Sequence, residues 1–337
     1  MVPRRRRGIS LNMKHTFLSR SFAAVSLAAV VAAGGSACSS DSSEKPAEPG
    51  ATGDALTVFA TTGYLGDAVS NIAPDADVTV MVGPGGDPHT YQPTTQDIEK
   101  IGAADLVVWN GLHLEAQMIN ELEAQGDRQI AAGQAIPKDE LLPWPEPGPG
   151  GEQLYDPHVW NSPGNWEIVV DAVAKKLGEV DPDGKDTYDK NADAYKKQIE
   201  EVNDHAKSEF EPIPVQDRVL ITGHDAFNYY GRDYDIDVHA TDFVTSEAQL
   251  SAPELAELAD LIVDRKVPVI FQDNLANPQA IDALKEAVQA KGWDVTVSDA
   301  PLYADSLGEA PPVDTYLGVF THNTDLISEA MTPAPVS

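Results

Sequence analysis

Three histidines and one aspartate stand where they could act together. His89 lies in GPGGDPHTYQPTTQD, residues 83–97, a loop built on three glycines and three prolines. Gly and Pro fix the backbone and fill no core, so such a loop is shaped to hold something in place. The triplet DPH returns in DPHV, residues 156–159, which carries His158. His224 directly follows the β-rich run RVLITG, and PLYADSLGEA, residues 301–310, offers Asp305 between Pro301 and Gly308. Imidazole supplies nitrogen to Zn, Mn, Fe or Cu, and one oxygen ligand completes a four-donor site. One solvated loop histidine is ordinary; three beside predicted strand ends are not.

The elements that must position these groups follow from periodicity. LTVFATT (56–62), DVTVMVG (77–83), DLVVWNG (105–111) and RQIAAG (128–133) read as strands. Helices over YLGDAVSNIA (64–73), TTQDIEKIGAA (94–104) and LEAQMINELEAQ (114–125) separate them, the second opened by a Thr94/Asp97 capping box. PWPEPGPGGEQ (143–153) is a Pro/Gly connection. Residues 164–210 are then almost wholly helical, with one break at DPDG (181–184). In the second part Tyr188, Ala192, Tyr195, Ile199, Val202 and Ala206 recur at three- and four-residue steps and define one apolar face.

Alternation resumes with DRVLITG, a helix over AFNYYGRDY, IDVHATDF, a helix from Ala252 to Arg265, VPVIFQD, a helix over NPQAIDALKEAVQA, WDVTVSD, and a last helix from Asp314 to Met331. Strands separated by helices of this length indicate parallel βαβ units. The expected fold is α/β: two doubly wound lobes with parallel sheets, joined by a long backbone helix. The limits are a leader at 1–37, a tether at 38–53, lobes at 54–163 and 213–337, and a linker at 164–212. His89, His158 and His224 all fall at the C-terminal rims of strands or in the loops beyond, where open α/β sheets bind ligands.

At this point the residues carry a resemblance. GPGGDPHTYQPTTQDIEKIGAADLVVWNGLHLE, YDPHVW, LITGHDAFNYYG and LYADSLGEAPPVDTYLGVFTHNTDLI resemble the zinc/manganese-binding solute-binding lipoproteins of ABC importers, the TroA-like class also called cluster A-I. The likeness runs in order from about Leu56 to Met331. It implies two lobes joined by a rigid helix, with one dehydrated metal between them held by His89, His158, His224 and Asp305, two from each lobe. It also implies delivery to a permease with a cytoplasmic ATPase, without catalysis. Zn2+ or Mn2+ is the implied ligand, with Fe2+ a third candidate.

The chain departs from the pattern in places. FQDN puts Asp273 where many relatives have glutamate, and Asp273 is expected beside the site rather than in it. PWPEPGPGGEQ lacks the histidines of zinc-dedicated relatives, and His224 stands where manganese-dedicated ones often carry glutamate. His113 and His322 recur in the family without being ligands and are expected to pack or hydrogen-bond near the rim. His205 is expected on the charged helix face, His239 in or at the end of a strand. Trp109, Trp160 and Tyr91 are expected as cleft walls; Asp87, Asp156 and Asp225 are expected to orient imidazole N–H groups.

The chain's first segment reads as an export leader. Arg4, Arg5, Arg6, Arg7, Lys14 and Arg20 precede an apolar run from Phe22 to Ala33 and the small residues GSAC, 35–38, and Met13 could serve as the start. The run is too short for a stable transmembrane anchor. Cys38, the sole cysteine, rules out an intramolecular disulfide and resembles a lipobox cysteine, although Gly35 stands where an aliphatic residue is usual. Lipidation of Cys38 would place the protein on the outer face of the cell membrane. Residues 39–53, rich in Ser, Pro, Glu and Gly, read as a disordered tether.

The net charge is −31; the leader holds six of the 23 basic residues and none of the 54 acidic ones, so the mature chain carries 17 bases against 54 acids, net −37. That excludes nucleic acid as a partner and basic contact with anionic lipid. A monomer is expected. Two other functions share these residues. A zinc metallohydrolase would keep an open metal position and a general base aimed at water; a metal-dependent surface adhesin would need neither. Ordinary imidazole titration, near pH 6.5, sets where acid should oppose metal binding.

Overall fold

The computed structural model describes residues 55–148, 150–242, 250–274 and 278–332. The leader, Cys38 and the tether lie outside the described residues.

The N-terminal lobe opens with strand β1 (Thr57–Thr62), helix α1 (Gly63–Ile72), β2 (Asp77–Val82), α2 (Thr95–Ala103), β3 (Leu106–Trp109), α3 (Ile119–Glu123) and β4 (Gln129–Ala131). The four strands form one parallel sheet in the order β2-β1-β3-β4. β3 is buried at every residue and β1 at all but its first, as expected of the two central strands of a parallel sheet covered by helices. Each helix start is chemically specified. Thr62 caps α1 through the Leu65 N–H, and the expected Thr94/Asp97 capping box opens α2.

A hairpin follows, where the sequence suggested only a connection. β5 (Pro143–Pro147) and β6 (Gln153–Tyr155) pair antiparallel with an irregular register. Prolines are tolerated because the pair stands apart as a two-stranded ribbon. The hairpin closes with the Asp156 N–H on the Leu142 carbonyl at 3.0 Å, which delivers DPHV to its place. The other departure is α3, only five residues long instead of twelve. Leu112 and His113 take positive φ (55° and 69°), and the Glu115 carboxylate folds inward onto the backbone instead of lying along a helix face.

Helices α4 (Pro163–Val180) and α5 (Lys185–Phe210) reproduce the expected break. Ser162 caps α4 and Pro163 occupies its first turn. The apolar face of α5 buries Tyr188, Ala192, Tyr195, Ile199 and Ala206, as the spacing required.

Beyond them come β7 (Val219–Thr222), α6 (Asn228–Tyr234), β8 (Asp237–Ala240), α7 (Ala252–Arg265), β9 (Val269–Ile270), α8 (Pro278–Ala290), β10 (Thr296–Val297) and α9 (Tyr316–Met331). β8 pairs parallel with β7, β10 with β9, and the Phe271 N–H on the Ile221 carbonyl links the two pairs. The resulting order, β8-β7-β9-β10, repeats that of the first sheet. The last two strands are shorter than their apolar runs, although an Asp273–Leu302 bridge continues their pairing.

One apolar core runs between the lobes. It joins Val58 and Leu65 of the first lobe to Trp166, Leu177, Tyr195 and Ile199 of α4 and α5, and these to Leu220, Phe227 and Tyr316 beyond. Replacing Ile199, fully buried on α5, with Ala should cost about 2–5 kcal/mol. Denaturant unfolding checks this, and a loss near zero would mean that α5 does not pack by this face.

Candidate metal centre

The four residues singled out in the sequence meet at one point. One donor atom from each of His89, His158, His224 and Asp305 lies within 4.8 Å of the others. The residues are exposed by only 6, 0, 1 and 1 %, so the point is dry. Nε2 of His158 stands 3.1 Å from Nε2 of His89 and 3.2 Å from that of His224. Both Asp305 oxygens face these nitrogens: Oδ2 is 3.4 Å from His89 and 3.1 Å from His224, and Oδ1 is 3.4 Å from His158. Bond lengths of about 2.0–2.1 Å to a tetrahedral ion would set donors about 3.3 Å apart. The observed spacing is that of a coordination shell.

His89, His158 and Asp305 are each held by a different device. In the loop after β2, Gly85 takes φ +71° and the Gly86 N–H closes a turn on Gly83. Asp87 receives the His89 backbone N–H at 2.8 Å and the Thr90 hydroxyl at 2.9 Å, so it fixes the loop through its backbone. Asp156 does what was expected of it. Its Oδ1 accepts the His158 backbone N–H at 2.9 Å and lies 2.7 Å from Nδ1, which leaves Nε2 with its lone pair toward the centre. Asp156 is itself held from α6 and its N-terminal side by Asn228 Nδ2 (3.1 Å) and the Tyr229 hydroxyl on its carbonyl (2.8 Å). The Asp305 loop is gripped from the first lobe: Trp160 Nε1 donates to the Ala304 carbonyl at 2.8 Å and the Tyr64 hydroxyl at 3.2 Å.

Trp160 stacks on Tyr64 and packs in a T-shaped contact with the His158 ring, so it does wall the site. Trp109 and Tyr91 do not. They pack with Phe59, Met81 and Met118 in a separate cluster of the first lobe, and their polar atoms bond Gln129 and Asp97. Strand alternation is the reason: Trp109 shares the face of β3 with Val107. His322 bonds the Pro301 carbonyl and packs edge-on to Tyr303, as expected of a supporting residue. His113 lines a surface cavity with Trp109, His205 pairs with Asp325, and His239 with Asp237.

Glu115 is the residue that the motif contained and the sequence reading left unassigned. Buried, it accepts the Thr61 hydroxyl (2.6 Å) and the Asn110 and Gly111 N–H groups (2.8 and 3.1 Å), tying the ends of β1 and β3. Asn110 then holds the Pro157 carbonyl, next to His158. A lone acid two residues after a histidine in NGLHLE was the available signal.

Charge distribution separates the imidazoles. Burial pushes His89 below its ordinary value. For His224 burial also opposes charge, but the Asp305, Asp273 and Asp225 carboxylates outweigh it and push its pKa up to about 9. Burial would raise Asp305, yet the His224 and His158 imidazoles hold it well below the usual carboxylate range. Asp273 therefore acts on His224 by charge, and Asp225, expected to orient a ring N–H, acts the same way while lying by Asp156 and Asn228. Asp242, desolvated and near Asp273, is pushed up to about 6.

Along most of its length the chain is similar to known metal-binding proteins. The family model "Zinc-uptake complex component A periplasmic" matches residues 58–330. The manganese-binding lipoprotein MntA of Bacillus subtilis is 34% identical over 87% of this chain and 94% of its own length. The iron-binding protein YfeA of Yersinia pestis is 30% identical over 83% of this chain and 88% of its own length. The zinc-binding protein TroA of Treponema pallidum is 35% identical over 81% of this chain and 88% of its own length. The solved TroA structure superposes with a TM-score of 0.78, covering 83% of this chain and all of that one at 34% identity. The family is one of metal-binding transporter solute-binding proteins, not of enzymes. By its sequence and its fold, the chain belongs to the zinc-uptake component A family of metal-binding solute-binding proteins.

Proposed function

We propose that this protein captures one divalent transition metal outside the cytoplasm and delivers it to an ABC permease driven by a cytoplasmic ATPase. The observation that carries the reading is the convergence of three imidazole Nε2 atoms and both Asp305 oxygens at coordination spacing in a dry centre. His89, His158, His224 and Asp305 are the ligands. Zinc fits as a four-coordinate ion, and manganese or iron fits where Asp305 offers both oxygens. The names of the relatives span all three metals. The lobes divide at 54–163 and 213–337 around the 164–212 linker. The protein acts as a monomer held to the membrane surface by lipid on Cys38, with residues 39–53 as tether.

Substitution separates ligands from bystanders. His158→Ala or Asp305→Ala should reduce metal affinity by orders of magnitude, whereas His113→Ala and His322→Ala should still bind one ion per chain. Metal analysis after purification and chelator competition read this directly. Loss of binding in His113→Ala with retention in His158→Ala would sink the ligand assignment.

The pH dependence follows from His224. Its folded pKa, about 9, lies above the unfolded value of roughly 6.5. In the metal-free chain the protonated His224–Asp305 pair therefore stabilises fully below pH 6.5, and that contribution is lost as pH rises through about 9. Metal needs the neutral ring, so its affinity should change in the opposite sense and climb from pH 6 toward pH 9. Acid competition thus begins well above the ordinary histidine range expected from sequence. At free metal 100 times the dissociation constant, binding adds about 2.7 kcal/mol of stability. Zinc or manganese should raise the melting temperature more at pH 8.5 than at pH 6, and calcium should do little at either. An equal shift from calcium would assign the effect to the acidic surface.

Replacing Cys38 with Ala should release the exported protein from the membrane and leave metal binding unchanged. Cell fractionation with a binding assay tests both halves; retention of the variant on the membrane would refute lipid anchoring.

A further inference from the structure

The loop that carries His89 and the loop that carries Asp305 are joined by a small polar assembly separate from the donor atoms. The Ser306 hydroxyl oxygen accepts the Gly85 N–H at 3.0 Å and Asn274 Nδ2 at 2.7 Å. Asn274 Nδ2 also reaches the Ser306 carbonyl at 3.2 Å, and its Oδ1 accepts the Ala304 N–H at 3.2 Å. One side chain thus spans Asp305, holding the residue before it and the residue after it. The Asn274 backbone N–H adds a bond to the Leu302 carbonyl at 2.8 Å. Ser306 is buried to within 1 %.

We propose that Ser306 and Asn274 form a latch that sets how long the bound metal is retained. The Asp305 oxygens face the three imidazoles at 3.1–3.4 Å and have no other hydrogen-bond partner among the described residues, so apart from the cluster itself nothing at the carboxylate fixes its direction. Its position comes from the backbone on both sides, and Asn274 holds both sides. Ser306 then transmits that position to the opposite lobe, because Gly85 belongs to the loop that bears His89. Gly85 can present its N–H this way because glycine takes φ +71° without strain. A metal leaving the site must lose Asp305 or His89, and the latch ties the two loops that would have to part. Asn274 is the last residue of FQDN, the run whose acid drew attention in the sequence.

The physical expectation is a kinetic one. Entry requires the loops to be apart, so the closed-state bonds contribute little to association. Release breaks them, so their removal appears in dissociation. The inference rests on the proposed ligand set, and the test distinguishes the two. Zinc is loaded on the intact mature protein, and its association and chelator-captured release are timed by stopped flow. Wild type, Ser306→Ala, Asn274→Ala and the double variant are compared, and the metal-free melting temperature of each is recorded.

Release should accelerate about tenfold in each single variant, with association within about twofold of wild type. The double variant should be no faster than the faster single one, since the two residues act as a unit. Metal-free melting temperatures should stay within about 4 °C of wild type. If Ser306→Ala does not fold, Asn274→Ala carries the measurement. Release at the wild-type rate in a folded variant overturns the latch, as do fully additive effects in the double variant. Equal acceleration in the α5 core variant Ile199→Ala would mark general destabilisation and also overturn it. Failure of wild type to bind zinc or manganese at all would defeat the ligand assignment instead.

Discussion

Crowding of lone pairs in a dry space is the constraint on which the rest of the structure depends. The His158 nitrogen lies 3.1–3.2 Å from the other two imidazole nitrogens and the Asp305 carboxylate 3.1–3.4 Å from all three, with almost no exposed surface to disperse their field. Left to themselves such groups would turn away or be solvated. Their convergence has to be enforced by bonds to atoms that are not donors, and the loops of His89, His158 and Asp305 each show such a bond. Asp156 fixes the His158 ring, and the Asp87 turn fixes the His89 backbone. Trp160 and Tyr64 fix the Asp305 loop through the Ala304 carbonyl. The supports cross between lobes: α6 residues hold the segment of His158, and first-lobe aromatics hold the segment of Asp305. A preset arrangement reduces the ordering cost on binding, which is how a chain of loops can hold an ion tightly.

The same enforcement limits how the site can open. Relative lobe motion is the default where interfaces are small and polar. Here one apolar core is continuous from Val58 through α4 and α5 to Leu220 and Tyr316. Swinging the lobes apart would expose Trp166, Tyr195 and Tyr316, all fully or nearly fully buried. That cost is large, so access is easier through displacement of the ligand loops than through wide hinge opening. The paired helices α4 and α5, which pack on each other across the turn at 181–184, then serve as the frame against which those loops are set.

Much of this was legible because it is local. The Gly/Pro loop, the repeated DPH, the strand before His224 and the apolar face of α5 are each encoded within a few residues, and the structure places all four candidate ligands together. The failures share a different cause. Whether Trp109 faces the site depends on which side of β3 is turned toward it, and alternation alone does not say, while Tyr91 lies in the loop of His89 and bonds Asp97 instead. The hairpin at 143–155 was obscured by its prolines, and α3 was shortened by Glu115 binding backbone 110–111. Glu115, Tyr64 and Asn274 act on partners between 4 and 240 residues away, and mostly far. No periodicity announces such bonds. The resemblance supplied the four candidate ligands but not the scaffold that holds them.

Acidity works at two distances, and the two must be kept apart. The net charge of −31 concentrates cations of every kind near the surface, within roughly a Debye length of about 8 Å in physiological salt, and distinguishes none of them. Close to the centre, Asp273 and Asp225 are not donors of the cluster, yet their field is felt by His224. A field that favours a proton on that ring also favours a metal ion, so these acids raise affinity for both competitors together. Discrimination among metals must therefore come from the donors themselves: three nitrogens disfavour calcium and magnesium, whose preference is for oxygen. Discrimination against the proton comes from number. A divalent ion held as proposed would engage all four residues at once, whereas one proton satisfies a single pair of them and leaves the remaining lone pairs opposed.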